Sequence, residues 1–142
     1  MVHVQLSDED KVFIKRLLQD IEEALRVLVD KASLDKPGVD DLFALRYSII
    51  EIVESLAVVS THIAQSLGYS LEGYVEAMRF LSRQGIVDLD VGERLVRLAR
   101  LRNILIHRYW VVDDYRVIRE ARENGIECIR RALNGLYRLI EG

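Results

Sequence analysis

Apolar residues recur at three- and four-residue intervals from one end of this chain to the other, and a single proline interrupts its 142 residues. That spacing gathers apolar side chains on one face of a 3.6-residue helix, and it does not suit the strict alternation of a half-buried strand. In the first segment Val12, Leu17, Leu18, Ile21, Leu25, Leu28 and Val29 recur between charges, and Ser7 to Asp10 reads as the capping start. Asp35-Lys36-Pro37-Gly38 is a turn signal that closes this helix. A second helix is predicted from about Asp41 to Leu67, ending at Gly68, with Leu42, Leu45, Ile49, Ile52, Val53, Leu56, Val59 and Ile63 on its apolar side. Ser70 is expected to cap a short helix through about Arg83, and Gln84-Gly85 to break it. Asp90-Val91-Gly92-Glu93 has the form of a capping box opening a third long helix, and Asp113-Asp114 caps a last one reaching Leu139. Four long helices and one short one with brief connections predict an all-α fold, an antiparallel four-helix up-and-down bundle with an additional short helix, over a single domain of residues 1–142.

Half of the residues are hydrophobic and the mean hydropathy is +0.07, enough to bury a core and too apolar for wholesale disorder. The lone cysteine, Cys128, has no partner for an internal disulfide, which fits a reducing cytosol. Met1 to Asp10 lacks the basic and apolar regions of a signal peptide, and no stretch reaches about 18 uncharged apolar residues. A cytoplasmic protein with no membrane association is therefore expected.

The net charge of −3 hides an asymmetry. Residues 1–93 hold 9 Lys/Arg against 17 Asp/Glu, a net of −8, whereas residues 94–142 hold 11 Arg against 6 acids, a net of +5. Within 94–112 there are five arginines (Arg94, Arg97, Arg100, Arg102 and Arg108) and no acid. An acidic body with one basic stripe fits a local anion site, and equally a helix face docked on acids of the same fold or of a partner subunit.

The three histidines, His3, His62 and His107, occupy no Glu-x-x-His or His-Glu-x-x-His frame, and no phosphate-binding glycine motif occurs, so neither metal nor cofactor is predicted. The informative stretch is Leu101-Arg102-Asn103-Ile104-Leu105-Ile106-His107-Arg108-Tyr109-Trp110. Metal-free RNA cleavage needs a base for the 2′-hydroxyl proton, an acid for the leaving 5′-oxygen, and a cation for the charge growing on the phosphoryl oxygens. Histidine suits the first two roles and the planar fork of arginine the third. Asn103 and His107 are four apart on one helical face, so the amide could orient the imidazole. Arg102 and His107, five apart, lie about 140° apart around an ideal helix. They converge only if the helix ends or distorts near 107, or if a second subunit supplies its own copy. One histidine also cannot be acid and base at once, and a twofold dimer resolves both difficulties.

Arg102-Asn-Ile-Leu-Ile-His107-Arg108-Tyr109 resembles the Arg-x4-His-x-Tyr motif of HepT-like toxins, within the HEPN superfamily. Leu45-Arg46-Tyr47-Ser48-Ile49-Ile50-Glu51 looks like that family's second-helix start. Tyr74-Val75-Glu76-Ala77 with Leu81-Ser82-Arg83-Gln84-Gly85-Ile86-Val87 looks like its short helix and turn, and Tyr109-Trp110-x-x-Asp113 follows the motif. The likeness covers about residues 40–120. It implies a HEPN-like bundle that dimerises and acts as a metal-independent endoribonuclease toxin of a type VII-like toxin–antitoxin system. Arg102 and His107 would be the catalytic pair, with Asn103 as a polar helper. The implied partner is a minimal nucleotidyltransferase antitoxin (MntA-like), which moves AMP from ATP onto the motif tyrosine, here Tyr109, and can form a larger hetero-assembly with the toxin. The substrate would be RNA, and DNA is not expected. The residue between His107 and Tyr109, often acidic in relatives, is Arg108 here, which adds positive charge near the phosphate path.

Glu51 lies where the superfamily often has a polar residue facing the site, and a helix-surface ion pair is its plain alternative. Arg46, Arg94, Arg97, Arg100 and Arg108 are candidates for contacting RNA: Arg94, Arg97 and Arg100 recur every third residue on the third long helix and could track a phosphate backbone, with salt bridges to the dimer mate or antitoxin as the competing reading, while for Arg46 the plainer alternative is an exposed helix-start residue. Besides a ribonuclease toxin, the same residues fit a non-catalytic HEPN binding module that partners a minimal nucleotidyltransferase, or a structural dimerisation bundle.

Overall fold

A computed structural model describes residues 5–142, and His3 lies outside the described residues. Helix α1 spans Asp8–Ala32. It opens on a reciprocal capping box: the Ser7 hydroxyl accepts from the Asp10 backbone N–H, and the Asp10 carboxylate accepts from that of Ser7, both at 3.0 Å. Helix α2 spans Val39–Ser66, beginning two residues before the expected Asp41. Asp41 lies inside its first turn instead, and its carboxylate accepts from the Gly38 N–H at 2.9 Å.

Helix α3 spans Gly73–Arg83, so Ser70 is not its cap. The chain passes through Gly73 at φ +85°, a conformation glycine tolerates, and the Glu76 carboxylate then takes the Glu72 N–H at 2.7 Å. Helix α4 spans Leu89–His107. Its cap is Asp88, whose carboxylate accepts from the Val91 N–H at 2.9 Å, and not the Asp90–Glu93 box; Asp90 lies in the first turn, where a negative charge favours the helix dipole.

A 3-10 turn, Tyr109–Val111, leads to the cap Asp113 and to helix α5, Asp114–Glu120. A π turn, Ala121–Gly125, joins α5 to helix α6, Ile126–Glu141. The single last helix expected from the sequence is thus one rod with a bulge at its second quarter. With that rod counted once, five helices and no strands make up the described residues.

One core cluster holds them together. Ile14, Leu18, Ile21 and Leu28 of α1 meet Leu45, Ile49, Ile52, Leu56 and Ile63 of α2, all essentially inaccessible. Leu81 of α3, Leu95 and Ala99 of α4, and Cys128, Ile129 and Leu136 of α6 close it from the other side. Each such large side chain contributes about 1.5–3 kcal/mol through removal from water. Cys128 sits inside this core, its thiol pushed up to about 12 by burial, which makes it an inert small hydrophobe. No helix is long and apolar enough to cross a membrane among the described residues.

At Gly135, α6 packs directly against backbone. A Cβ there would lie 2.3 Å from the carbonyl oxygen of Ile86, in the turn after α3. Because the obstacle is backbone, relief requires α6 to move. Gly135→Ala should therefore lower stability by about 1–3 kcal/mol in urea unfolding. Asn134→Ala, one residue away and exposed, should stay within about 0.5 kcal/mol. Equal midpoints for the two variants would contradict this packing.

Candidate active site on the α4 helix

Arg102 is 8% exposed, the one buried cation among the described residues, and its partners fix it in place. Its Nη2 and Nε donate to a single oxygen of Glu54 on α2, at 2.8 and 3.3 Å, and its Nη1 donates to the Asn103 amide oxygen at 3.1 Å. The guanidinium carbon sits 4.0 Å from the centre of the Tyr74 ring on α3, a cation–π contact. Of the five N–H bonds of a guanidinium, these contacts engage three. The remaining two, one on each Nη, are held in a fixed orientation and suit a phosphate oxygen.

His107 is the last residue of α4 and is exposed. After it the backbone leaves helical geometry, with Arg108 at φ −138° and ψ 41°. The helix does end at His107, one of the alternatives the sequence left open, but Arg102 is turned towards α2 and α3 while His107 stands exposed at the helix terminus. The Asn103 amide oxygen is given to Arg102, so this amide orients the guanidinium and not the imidazole. Tyr109 and Trp110, in the turn beyond, pack edge to face at 5.4 Å and remain largely in solvent.

Glu54, not Glu51, is the acid that meets Arg102. Glu51 is one turn earlier on α2 and faces α1: burial, with the charges of Asp20 and Glu23, raises its carboxyl above the usual range. A raised folded-state value means the folded chain binds the proton more tightly, so this group's contribution falls as pH rises through its titration. Glu51→Gln should therefore stabilise the fold at pH 7, and the gain should vanish at about pH 4, where the unfolded carboxyl also protonates. Urea midpoints at the two values check this; a loss of stability at pH 7 would contradict it.

The arginine stripe divides. Arg94 donates to Asn124 of the π turn at 2.7 Å, and Arg97 pairs with Glu120 of α5 at 2.7 Å. Asn124, 2% exposed, returns its amide to the Arg94 carbonyl and to Glu120, closing a network that clamps α4 to the last rod. Arg46 forms an ion pair with Asp114 at 2.7 Å, tying α2 to the start of α5. These three guanidiniums are internal ties: Arg46 is no free helix-start residue, and Arg94 and Arg97 dock the stripe on polar and acidic groups of the same fold. No hydrogen bond or ion pair among the described residues holds Arg100 or Arg108. His62 is likewise accounted for: its Nε2 meets Asp10 at 2.6 Å, and its ring lies 4.8 Å from that of Phe13.

Among the described residues no three His, Cys, Asp or Glu side chains gather into a metal-binding group. Sequence reasoning missed Glu54, although its three-residue offset from Glu51 on α2 was readable.

Similarity to known proteins follows the same lines. A protein of Archaeoglobus fulgidus provisionally described as an RNase is 28% identical over 109 residues, 77% of this chain and 82% of that protein. Among solved structures, YutE of Bacillus subtilis, described as a cytosolic protein of unknown function, superposes with a TM-score of 0.73 at 18% identity, over 93% of this chain and 88% of its own. A tri-AMPylated HEPN toxin of Shewanella oneidensis, in complex with an MNT antitoxin, superposes with a TM-score of 0.69 at 14% identity, over 94% and 99%. At these identities the two structures establish a shared HEPN-like fold. Residues 14–135 match the sequence profile of the family described as ribonuclease HepT-like, and the chain belongs to that HepT-like ribonuclease family.

Proposed function

We propose that this protein is an endoribonuclease toxin that cleaves RNA without a metal, using Arg102 and His107 at a site completed by a second copy of the chain. The observation that carries this is the buried, triply held guanidinium of Arg102 on a helix that ends in an exposed imidazole. Arg102 offers its two unengaged N–H groups to the phosphoryl oxygens, where negative charge grows in the transition state. Glu54, Asn103 and Tyr74 act as positioning residues for it, so little reorganisation is needed as the substrate reacts.

One imidazole removes the proton of the 2′-hydroxyl, whose oxygen bonds to phosphorus, and a second protonates the 5′-oxygen as the P–O5′ bond breaks. The products are a 2′,3′-cyclic phosphate and a 5′-hydroxyl. Two copies of His107 meet this need in a twofold dimer. Exposed aromatic and aliphatic residues flanking His107, namely Ile106, Tyr109 and Trp110, are consistent with a surface that a second chain covers.

Silencing fits the same site. Tyr109 is 65% exposed two residues beyond His107, open to a nucleotidyltransferase partner of the MNT kind. Its phenolic oxygen would bond to the α-phosphorus of ATP, releasing pyrophosphate and the phenol proton, and the resulting phosphodiester would stand beside Arg108. The like complex of the Shewanella oneidensis toxin supports this reading. Expression of the chain alone should arrest growth, and His107→Ala should relieve the arrest while still copurifying with a coexpressed partner. Arrest by both forms would remove His107 from the mechanism.

A further inference from the structure

A second concavity lies on another side of α4, between that helix, the 3-10 turn and α5, with a volume of about 370 Å³. That is within the usual range for small-ligand sites and large enough for one nucleotide. Its cationic wall is Arg100, Arg108 and Arg116, whose guanidiniums make no hydrogen bond or ion pair with any described residue. Its apolar wall is Leu101, Ile104, Val112 and Val117. Arg97 and Glu120 also line it, but they are paired with each other. Three guanidiniums free of side-chain partners among the described residues, beside an aliphatic wall, suit a phosphate joined to an apolar-faced base.

Asp113 supplies a reading element. One carboxylate oxygen caps α5 by accepting from the Tyr115 N–H at 3.1 Å, and the other has no partner among the described residues. A carboxylate oxygen at the wall accepts from the exocyclic amine of adenine, cytosine or guanine, and repels the O4 carbonyl that uracil carries where cytosine has its amine. The pocket is also connected to the cleavage site: Arg100 and His107, seven apart on α4, differ by only about 20° around the helix axis, and Arg108 directly follows His107.

We infer that this pocket is a specificity subsite that holds a nucleotide neighbouring the scissile bond, its phosphate on Arg100, Arg108 and Arg116 and an amine-bearing base against Asp113. The role in cleavage rests on the ribonuclease reading above; the nucleotide recognition does not. The subsite makes the amine-bearing bases preferred over uracil beside the cut.

Binding of 2′-O-methyl tetranucleotides, which lack the attacking hydroxyl, tests the recognition, and mapping of cut sites in a mixed-sequence RNA tests its use. The wild type should bind oligo-A roughly tenfold more tightly than oligo-U. Asp113→Asn keeps a good helix cap and turns the free acceptor into a donor, so it should abolish or reverse that ratio and shift the cut sites towards uracil. Arg116→Ala should weaken both oligonucleotides equally. Equal binding of oligo-A and oligo-U by the wild type, or an unchanged ratio in Asp113→Asn with Arg116→Ala binding as wild type does, would overturn the subsite. One cut-site profile shared by wild type, Asp113→Asn and Arg116→Ala would overturn the subsite and leave the ribonuclease reading intact. A wild type that binds oligo-A through Asp113 but cuts nothing would keep the nucleotide pocket and overturn its role in cleavage.

Discussion

Arg102→Lys should slow RNA cleavage on the order of 10²–10³-fold even though it keeps the positive charge. The guanidinium serves three partners at once, Glu54 through two nitrogens, Asn103 through a third and the Tyr74 ring through its face, and the proposed mechanism gives what remains to substrate. An ammonium has three donors and no planar face, so it satisfies Glu54 at the expense of the phosphate. Arg102→Ala should be at least as slow, while its fold survives, because Glu54 is 43% exposed and regains water. Glu54→Gln is the informative companion. It keeps an acceptor for Arg102, so the rate should fall less than in Arg102→Lys, with the loss in kcat and not in KM if Glu54 only positions the guanidinium. Single-turnover rates on one labelled RNA decide the order. A lysine variant within a few-fold of wild type would mean that Arg102 is structural.

Adenylylation of Tyr109 should abolish cleavage, and Tyr109→Phe should cut RNA as the wild type does while escaping silencing. The phenol makes no hydrogen bond among the described residues and is 65% exposed, so losing its hydroxyl leaves the fold and the Arg102 cluster undisturbed. Adding a phosphodiester and a purine at that point places negative charge and bulk next to Arg108 and two residues from His107, where an RNA phosphate must come. Intact mass before and after incubation with ATP and a coexpressed nucleotidyltransferase, followed by the cleavage assay, separates the two forms. Modified protein that still cuts at the wild-type rate would exclude Tyr109 as the silencing point.

Much of the fold was legible because helical periodicity is a local property. The apolar positions named on α1 and α2 are largely the ones that line the core, and the Ser7–Asp10 box was read correctly. Caps were less legible where two residues compete. Asp88 and Asp90 are both reasonable N-caps, and only the neighbouring chain geometry selects Asp88. The short helix begins late because Gly73 must first take a left-handed conformation, which no side-chain pattern announces. The π turn was invisible for the same reason.

The site was legible in type more than in partnership. The motif placed Arg102, Asn103, His107 and Tyr109 on one segment, but periodicity fixes a residue's direction too coarsely to separate Glu51 from Glu54 on the broad apolar side of α2. The arginine stripe illustrates the second limit. Arg94 and Arg97 find an amide and an acid 30 and 23 residues later, so these two members of a stripe read locally as a phosphate track prove an internal clamp, while Arg100 and Arg108 stay free of side-chain partners among the described residues. Arg116, which faces the pocket from α5, is brought opposite Arg100 and Arg108 only by the turn at Tyr109–Val111.

Cleavage of a labelled RNA in EDTA by unmodified protein, wild type against His107→Ala, tests the central claim most directly. The wild type should cut, leaving 2′,3′-cyclic phosphate ends, because base, acid and cation all come from side chains. His107→Ala should not cut, and should keep the wild-type helical content and unfolding midpoint because His107 is exposed and contributes nothing to the core. Cleavage that EDTA abolishes, or that persists in His107→Ala, would contradict a metal-free site built on Arg102 and His107.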